Sequence, residues 1–97
     1  MADVHSTAEE AGLELIHRHG LVLVRAADMS VILQTTARRN LQIYGVEGFF
    51  LMADGVMPDP DGLLDLSDVS SAVSADEAQA FVSRVSRPDN YYYEITL

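Results

Sequence analysis

The residues with the greatest potential for chemistry are acids, and they are concentrated in the middle of the chain. Between Asn40 and Ser83 the sequence contains no Lys, Arg or His. The acids of this span are Glu47, Asp54, Asp59, Asp61, Asp65, Asp68, Asp76 and Glu77. Carboxylates gathered on one surface attract cationic groups and can raise the association rate of a basic protein. We therefore expect this span to bind a basic protein partner.

The histidines do not have the spacing of a metal site. His17 and His19 are two residues apart, so on a helix their side chains point about 200° away from each other. Zinc requires ligands that converge on one point. His5 belongs to residues 1–5, which we expect to form a flexible terminus. We therefore predict no bound metal.

The acids near residue 60 have the composition of a calcium loop without its pattern. Counted from Asp59, an EF-hand loop would have Leu63 at its fifth position and Ser70 at its twelfth, where a bidentate Glu is required. Prolines and a glycine in the segment 58–62 instead predict a loop between two elements.

The sequence also lacks the residues of a catalytic site. It contains no Cys, and no predicted core element contains a His that could activate a Ser or Thr nucleophile. Gly45 and Gly48 do not have the spacing of a phosphate-binding loop. We expect neither an enzyme nor a bound cofactor.

Length and charge restrict the remaining possibilities. The chain has 97 residues and a formal net charge of −9, which fits one domain over residues 1–97. This charge argues against direct binding to nucleic acid or to an anionic membrane, because phosphates are bound by clustered Lys and Arg. No apolar run reaches the length of a membrane span, and the N-terminus lacks the regions of a signal peptide. We expect a cytoplasmic protein.

Two overlapping capping boxes predict a first helix. They pair Ser6 with Glu9 and Thr7 with Glu10, and Gly20 is a suitable residue to end the helix that follows.

The next segment allows two interpretations. In the first, Leu21–Val24 is a strand and Asp28 caps a second helix that extends to about Arg39. In the second, a continuous hairpin runs from Leu21 to Leu33, because the β-branched residues of this segment weaken the helical prediction.

The central segment Ile43–Met52 has large apolar groups on both sides of an extended chain. It predicts a strand that is covered on both faces or bends at Gly45 and Gly48, where a bulge or a close backbone approach is expected. Glu47 lies between these glycines. It either points to solvent at the bulge or anchors an Arg or Lys of a partner, since a buried carboxylate needs a counter-charge. A hairpin or a strand and turn follows over Phe49–Val56.

The last third of the chain predicts an extended segment, a helix and a strand. Leu63–Leu66 is the extended segment, and a capping box of Ser74 with Glu77 starts the helix, which should stop before Pro88. The apolar stripe of this helix comprises Ala78, Phe81, Val82 and Val85. The strand Tyr91–Leu97 has Tyr91, Tyr93, Ile95 and Leu97 on one face, and Tyr92, Glu94 and Thr96 on the other.

Together these elements predict an α+β fold, with a small, mostly antiparallel sheet and about three helices packed on one face. The second face of such a sheet can remain in contact with water. Tyr92 is expected on that face, with Tyr44 as a second candidate. These tyrosines either form a binding surface or cover the core while their hydroxyls stay in water.

Three segments resemble the small acidic immunity proteins of bacterial polymorphic toxin systems. They are YGVEGFFL at Tyr44–Leu51, PDPDGLLDLS at Pro58–Ser67 and YYYEITL at Tyr91–Leu97. This resemblance implies tight binding to a cognate toxin, often through acids that cover the basic site of a nuclease. Charge and expected exposure select the contact residues that we predict: Glu47, Asp54, Asp59, Asp61, Asp65, Asp68 and Tyr92.

Two other functions would fit the same composition. One is a structural or assembly subunit, in which an exposed sheet edge at Tyr91–Leu97 pairs with a copy of itself or with a larger protein. A homodimer is then possible. The other is a phage-encoded inhibitor that mimics nucleic acid with an array of acids.

Overall fold

Three helices and a five-stranded antiparallel sheet form the fold in a computed structural model that describes residues 3–84 and 87–97. The elements are α1 (Val4–Ala11), β1 (Ile16–Arg18), β2 (Leu21–Arg25), a 3-10 turn (Ala26–Asp28), α2 (Met29–Arg38), β3 (Gly45–Met52), β4 (Gly55–Asp65), α3 (Ser71–Ser83) and β5 (Tyr91–Thr96). The predicted α+β class, with an antiparallel sheet and three helices, is confirmed.

The sheet has the strand order β1-β2-β5-β3-β4. The prediction that Tyr91–Leu97 is an exposed edge is wrong, because β5 pairs with β2 on one side and with β3 on the other. The edges are β1, which has three residues, and β4, which contains Pro58 and Pro60. Proline has no N–H to donate, and prolines on an edge strand discourage pairing with a further strand.

One face of the sheet is buried under the helices. Val46, Tyr91, Tyr93 and Ile95 are buried on this face. They form one hydrophobic core with residues of all three helices, namely Ala8, Met29, Ile32, Leu33, Ala75 and Ala78. The predicted alternation of β5 is therefore confirmed, since its buried residues are every second one of the strand.

Helix α1 begins and ends earlier than the sequence predicts. Its N-cap is Asp3, whose carboxylate accepts a hydrogen bond from the Ser6 N–H at 2.8 Å. The predicted caps are therefore inside the helix, and residues 3–5 are ordered by capping instead of forming a loose end. Gly12 ends the helix with a φ of 73°, a left-handed conformation that suits glycine.

The segment expected to continue this helix is instead the β1–β2 hairpin. Ile16 pairs with Leu23 and Arg18 pairs with Leu21. His19 and Gly20 form the turn with φ values of 51° and 79°. Positive φ at both central residues is the geometry of tight hairpin turns, so Gly20 has the role of a turn residue and not of a helix end.

The alternatives for residues 21–39 are resolved in favour of a strand followed by a helix. The hairpin from Leu21 to Leu33 is wrong, because Met29–Arg38 is helical. Burial of Met29, Ile32 and Leu33 against the sheet outweighs the weak helical propensity of this segment. Asp28 is at the N-cap position, although its side chain makes no capping hydrogen bond.

Strands β3 and β4 form a hairpin whose pairing shifts at Gly48. Glu47 is opposite Leu63, whereas Phe49 is opposite Pro58, so residues 59–62 bulge out of the ladder. The bulge predicted at a glycine is confirmed at Gly48. The prediction of a separating loop over residues 58–62 is wrong, because β4 continues through them.

Helix α3 starts at Ser71, three residues before the predicted cap. Ser74 is buried within the first turn, and its hydroxyl accepts a hydrogen bond from the Ile43 N–H at 3.2 Å. Its hydroxyl therefore ties α3 to the segment that precedes β3. Val85, the last residue of the predicted apolar stripe, lies outside the described residues.

Candidate protein-binding face

The predicted acidic contact residues do not form one surface. Asp54 lies in the turn between β3 and β4, whereas Asp65 pairs with Gly45 at the opposite end of the same hairpin. The eight residues of β3 separate the two ends, a distance of about 23 Å. Asp65 and Asp68 are exposed at one end, Asp54 is exposed at the other, and Asp61 is exposed in the bulge between them.

Asp59 departs furthest from the prediction, because it is not exposed. Only 8% of its surface is accessible. Its carboxylate accepts a 2.7 Å hydrogen bond from the Tyr91 hydroxyl and lies 3.6 Å from the Arg87 guanidinium. An acid that is satisfied in this way inside the fold has little left to offer a partner.

Two glycines make room for this polar cluster. A Cβ built on Gly48 or Gly62 would overlap the Tyr91 hydroxyl. Close approach of a ring to the backbone is one of the uses of glycine within strands. The bulge therefore has a structural purpose, because it brings Asp59 to the end of the Tyr91 ring.

The ionisation of this cluster follows from its contacts. The hydrogen bond from Tyr91 is the largest cause that lowers the pKa of Asp59, followed by the Asp61 N–H and the charge of Arg87. Burial is the main cause that raises the pKa of Tyr91, and the bond to Asp59 raises it further. The carboxylate is therefore ionised and the phenol neutral near pH 7, as an internal structural pair requires.

The surface that remains for binding is the sheet face that the helices do not cover. We call it the open face and define it by Tyr92 and Glu94 of β5, Glu47 of β3 and Leu63 of β4. Phe49 of β3 is on the same side of the sheet but is buried. Register places these residues in two rows across the strands, Tyr92 beside Phe49, and Glu94 beside Glu47 and Leu63. Leu63 is 63% exposed, which leaves an apolar group in water beside the two acids.

Two carboxylates of this face, those of Glu47 and Glu94, are next to each other. They are directly opposite each other on β3 and β5, and both are partly buried. Burial raises the pKa of Glu94, and the neighbouring charge of Glu47 raises it further. Like charges that face each other across strands destabilise a sheet, so this pair reduces the stability of the free protein.

No cation of the described chain neutralises this pair. Within residues 3–84 and 87–97 the ion pairs join Arg39 to Glu10 and Arg87 to Asp59. Arg25 is on the same face, opposite Tyr92, but it forms neither of these ion pairs. The two carboxylates of the open face are therefore available to a cation from outside.

Of this pair, only Glu47 is among the contact residues that the sequence predicts. Charge and expected exposure select Glu47 and Tyr92 from the sequence. The sequence also places Glu94 on the face of Tyr92, but Glu94 is not among the predicted contact residues. The alternation of the last strand shows which face Glu94 is on. The pairing of Glu94 with Glu47 depends on the strand register, which the sequence does not show.

Tyr44, the second tyrosine considered for this face, is 49% exposed and precedes β3.

The described residues also bear on larger metal sites and on membrane insertion. They contain no group of three or more His, Cys, Asp or Glu that could hold a metal ion. None of their helices has the length and apolar character needed to cross a membrane.

Comparisons with known proteins do not identify a relative of this chain. No family model matches the chain, and neither the curated proteins nor the solved structures contain a match to it.

Proposed function

We propose that this chain is a binding protein whose open face receives a basic protein, and that this partner is a bacterial toxin which the chain neutralises as an immunity protein. The observation that supports the proposal is the uncompensated pair of Glu47 and Glu94. A pair of like charges that costs stability in the free protein is expected where the charges serve binding.

The chemistry of the face favours arginine as the group that binds there. A guanidinium is planar, permanently charged and able to donate to two carboxylates at once. Its stem and plane also pack well on aromatic and apolar groups, which Tyr92 and Leu63 supply on either side of the acids. Binding would relieve the repulsion between Glu47 and Glu94 and desolvate all three charges together.

The alternative of self-assembly has less support. The sheet edge that it required is occupied, because β5 lies between β2 and β3. A second copy placed on the open face would bring four carboxylates together, which is unfavourable. A nucleic-acid mimic needs an ordered array of acids, and the exposed acids here are dispersed along the β3–β4 hairpin.

Charge reversal on the open face tests the proposal against a toxin that binds the parent chain, sought first among the products of neighbouring genes. Glu47→Lys/Glu94→Lys should abolish both binding and protection of cells that express the toxin. Asp54→Lys/Asp68→Lys changes the net charge equally at the ends of the hairpin. It should preserve the complex and slow association only a few-fold.

The opposite ranking of these two variants would contradict the open face as the binding site. Glu47→Gln/Glu94→Gln, which keeps the size of both side chains, guards against loss of folding in the lysine variant. It should weaken binding while retaining the circular dichroism spectrum of the parent.

A second experiment tests the open face as an arginine-binding site without knowledge of the protein partner. The blocked amino acid N-acetyl-arginine amide is titrated into isotope-labelled protein while amide shifts are recorded. Shifts confined to β3 and β5 around Glu47 and Glu94 are expected, and the matched lysine compound should give smaller ones. If the shifts cluster at the exposed acids near Asp65, the open face is not the arginine site, whatever the partner is.

A further inference from the structure

A contact between two histidines joins the N-terminal helix to the first hairpin. His5 is on α1 and His17 is on β1, and their Nε2 atoms are 3.2 Å apart. The ring centroids are 5.5 Å apart with an interplanar angle of 17°. Because this centroid distance is too long for a face-to-face stack, the two rings meet edge to edge through their Nε2 atoms.

The fold fixes both histidines from the backbone. The Asp3 cap and Gly12 define the ends of α1, so His5 lies in its first turn. His17 is the middle residue of β1 and pairs with Val22. Both side chains are exposed, so water and ions reach the two nitrogens freely.

We propose that His5 and His17 form a two-histidine chelating site for a divalent transition-metal ion. Imidazole is a preferred ligand of zinc, copper and nickel ions. Two zinc–nitrogen bonds of about 2.0–2.1 Å at a tetrahedral angle place the nitrogens about 3.3–3.4 Å apart. The observed separation of 3.2 Å is close to this value. The ion takes the place of the hydrogen shared by the two nitrogens after each exposed ring rotates until its Nε2 lone pair points at the ion.

The remaining coordination positions are filled by water or by a group from another molecule. Two protein ligands make a weaker site than the four of a structural zinc site. The consequence for the fold is a link between α1 and the β1–β2 hairpin, in addition to the chain connection through residues 12–15. Because the unfolded chain does not hold the two histidines together, metal binding stabilises the folded state.

Thermal unfolding of the untagged full chain with and without Zn²⁺ tests this site. At a concentration ten times the dissociation constant, the midpoint should rise by roughly 5–10 °C. His5→Gln and His17→Gln should each abolish the rise. His19→Gln is the matched control, since this histidine belongs to the same hairpin but is not part of the contact, and it should retain the full rise.

The outcomes are distinguishable. A rise that persists in both His5→Gln and His17→Gln, or that disappears in His19→Gln, places the metal elsewhere and overturns the proposal. The absence of any rise at millimolar Zn²⁺ overturns it as well. Isothermal titration should show one ion per chain for the parent and none for His5→Gln. That variant changes an exposed helical residue and is expected to fold.

Discussion

Tyr91 donates the hydrogen of its phenol to the carboxylate of Asp59 over 2.7 Å, although 32 residues separate the two in sequence. The bond joins the central strand β5 to the bulge of the edge strand β4. The guanidinium of Arg87 lies 4.9 Å from the centre of the Tyr91 ring, so a cation also covers the same aromatic group. This cluster holds the bulge in place, and several consequences can be measured.

Removal of the phenolic oxygen should destabilise the protein. Tyr91→Phe leaves a buried carboxylate without one of its donors, a loss of about 1–3 kcal/mol. Tyr92→Phe is the control, because within the described residues the Tyr92 hydroxyl makes no hydrogen bond. It should change the free energy of unfolding by no more than about 0.5 kcal/mol. Equal effects in urea unfolding would show that the bond to Asp59 contributes nothing.

Asp59 should contribute to sensitivity toward acid. Its pKa is lowered in the folded state, so its stabilisation is complete above the unfolded-state value of about 3.9 and is lost as the pH falls through the folded value. Asp59→Asn should therefore cost most near neutral pH and progressively less in acid. Urea unfolding of both proteins at about pH 6 and about pH 2.5 measures the difference. A constant difference between them would contradict this role.

Gly48 should not tolerate a methyl group. Gly48→Ala places a Cβ on the Tyr91 hydroxyl, and the displacement of this ring should cost about 1–3 kcal/mol. Gly55→Ala is the matched control on the neighbouring strand, where the nearest atom to a new Cβ is His19 Nε2 at 3.9 Å. Thermal melting should separate the two variants clearly. A melting temperature of Gly48→Ala equal to that of Gly55→Ala would mean that the ring moves at no cost.

Glu94 should be a source of instability in the free protein. Its pKa is raised by burial and by Glu47, so the charged form is disfavoured in the folded state. Stability therefore falls as the pH rises from the unfolded value of about 4.3 through the folded value. Glu94→Gln should stabilise the protein by about 0.2–1 kcal/mol near pH 7. The gain should disappear below about pH 4; a gain that is independent of pH would exclude charge repulsion as its cause.

The sequence predicts the class of the fold because the apolar periodicity is local. The alternation of Tyr91–Leu97 and the glycine-marked bulge at Gly48 are confirmed for this reason. The end of α1 was misplaced because Gly12 and Gly20 are equally suitable helix ends. The choice between them depends on the pairing of Ile16 with Leu23, a tertiary contact that outweighs local propensity.

The candidate site was harder to predict because it depends on contacts between distant segments. Asp59 has the sequence context of an exposed loop acid, and only its meeting with Tyr91 and Arg87 makes it internal. The pairing of Glu47 with Glu94 depends on strand register, which a one-residue shift would abolish. The position of β5 at the centre of the sheet likewise follows from pairing on both sides.

The prolines of β4 and the shortness of β1 also affect how another protein can recognise this one. Pro58 and Pro60 interrupt the row of backbone N–H donors along the edge strand β4. The opposite edge strand, β1, has three residues and offers little backbone for a further strand to pair with. A partner that adds a strand to the sheet edge binds through main-chain hydrogen bonds, which depend little on the side chains of either protein. Where that route is closed, the selectivity of the proposed binding face depends on individual side chains, so a few substitutions should suffice to change the partner that it accepts.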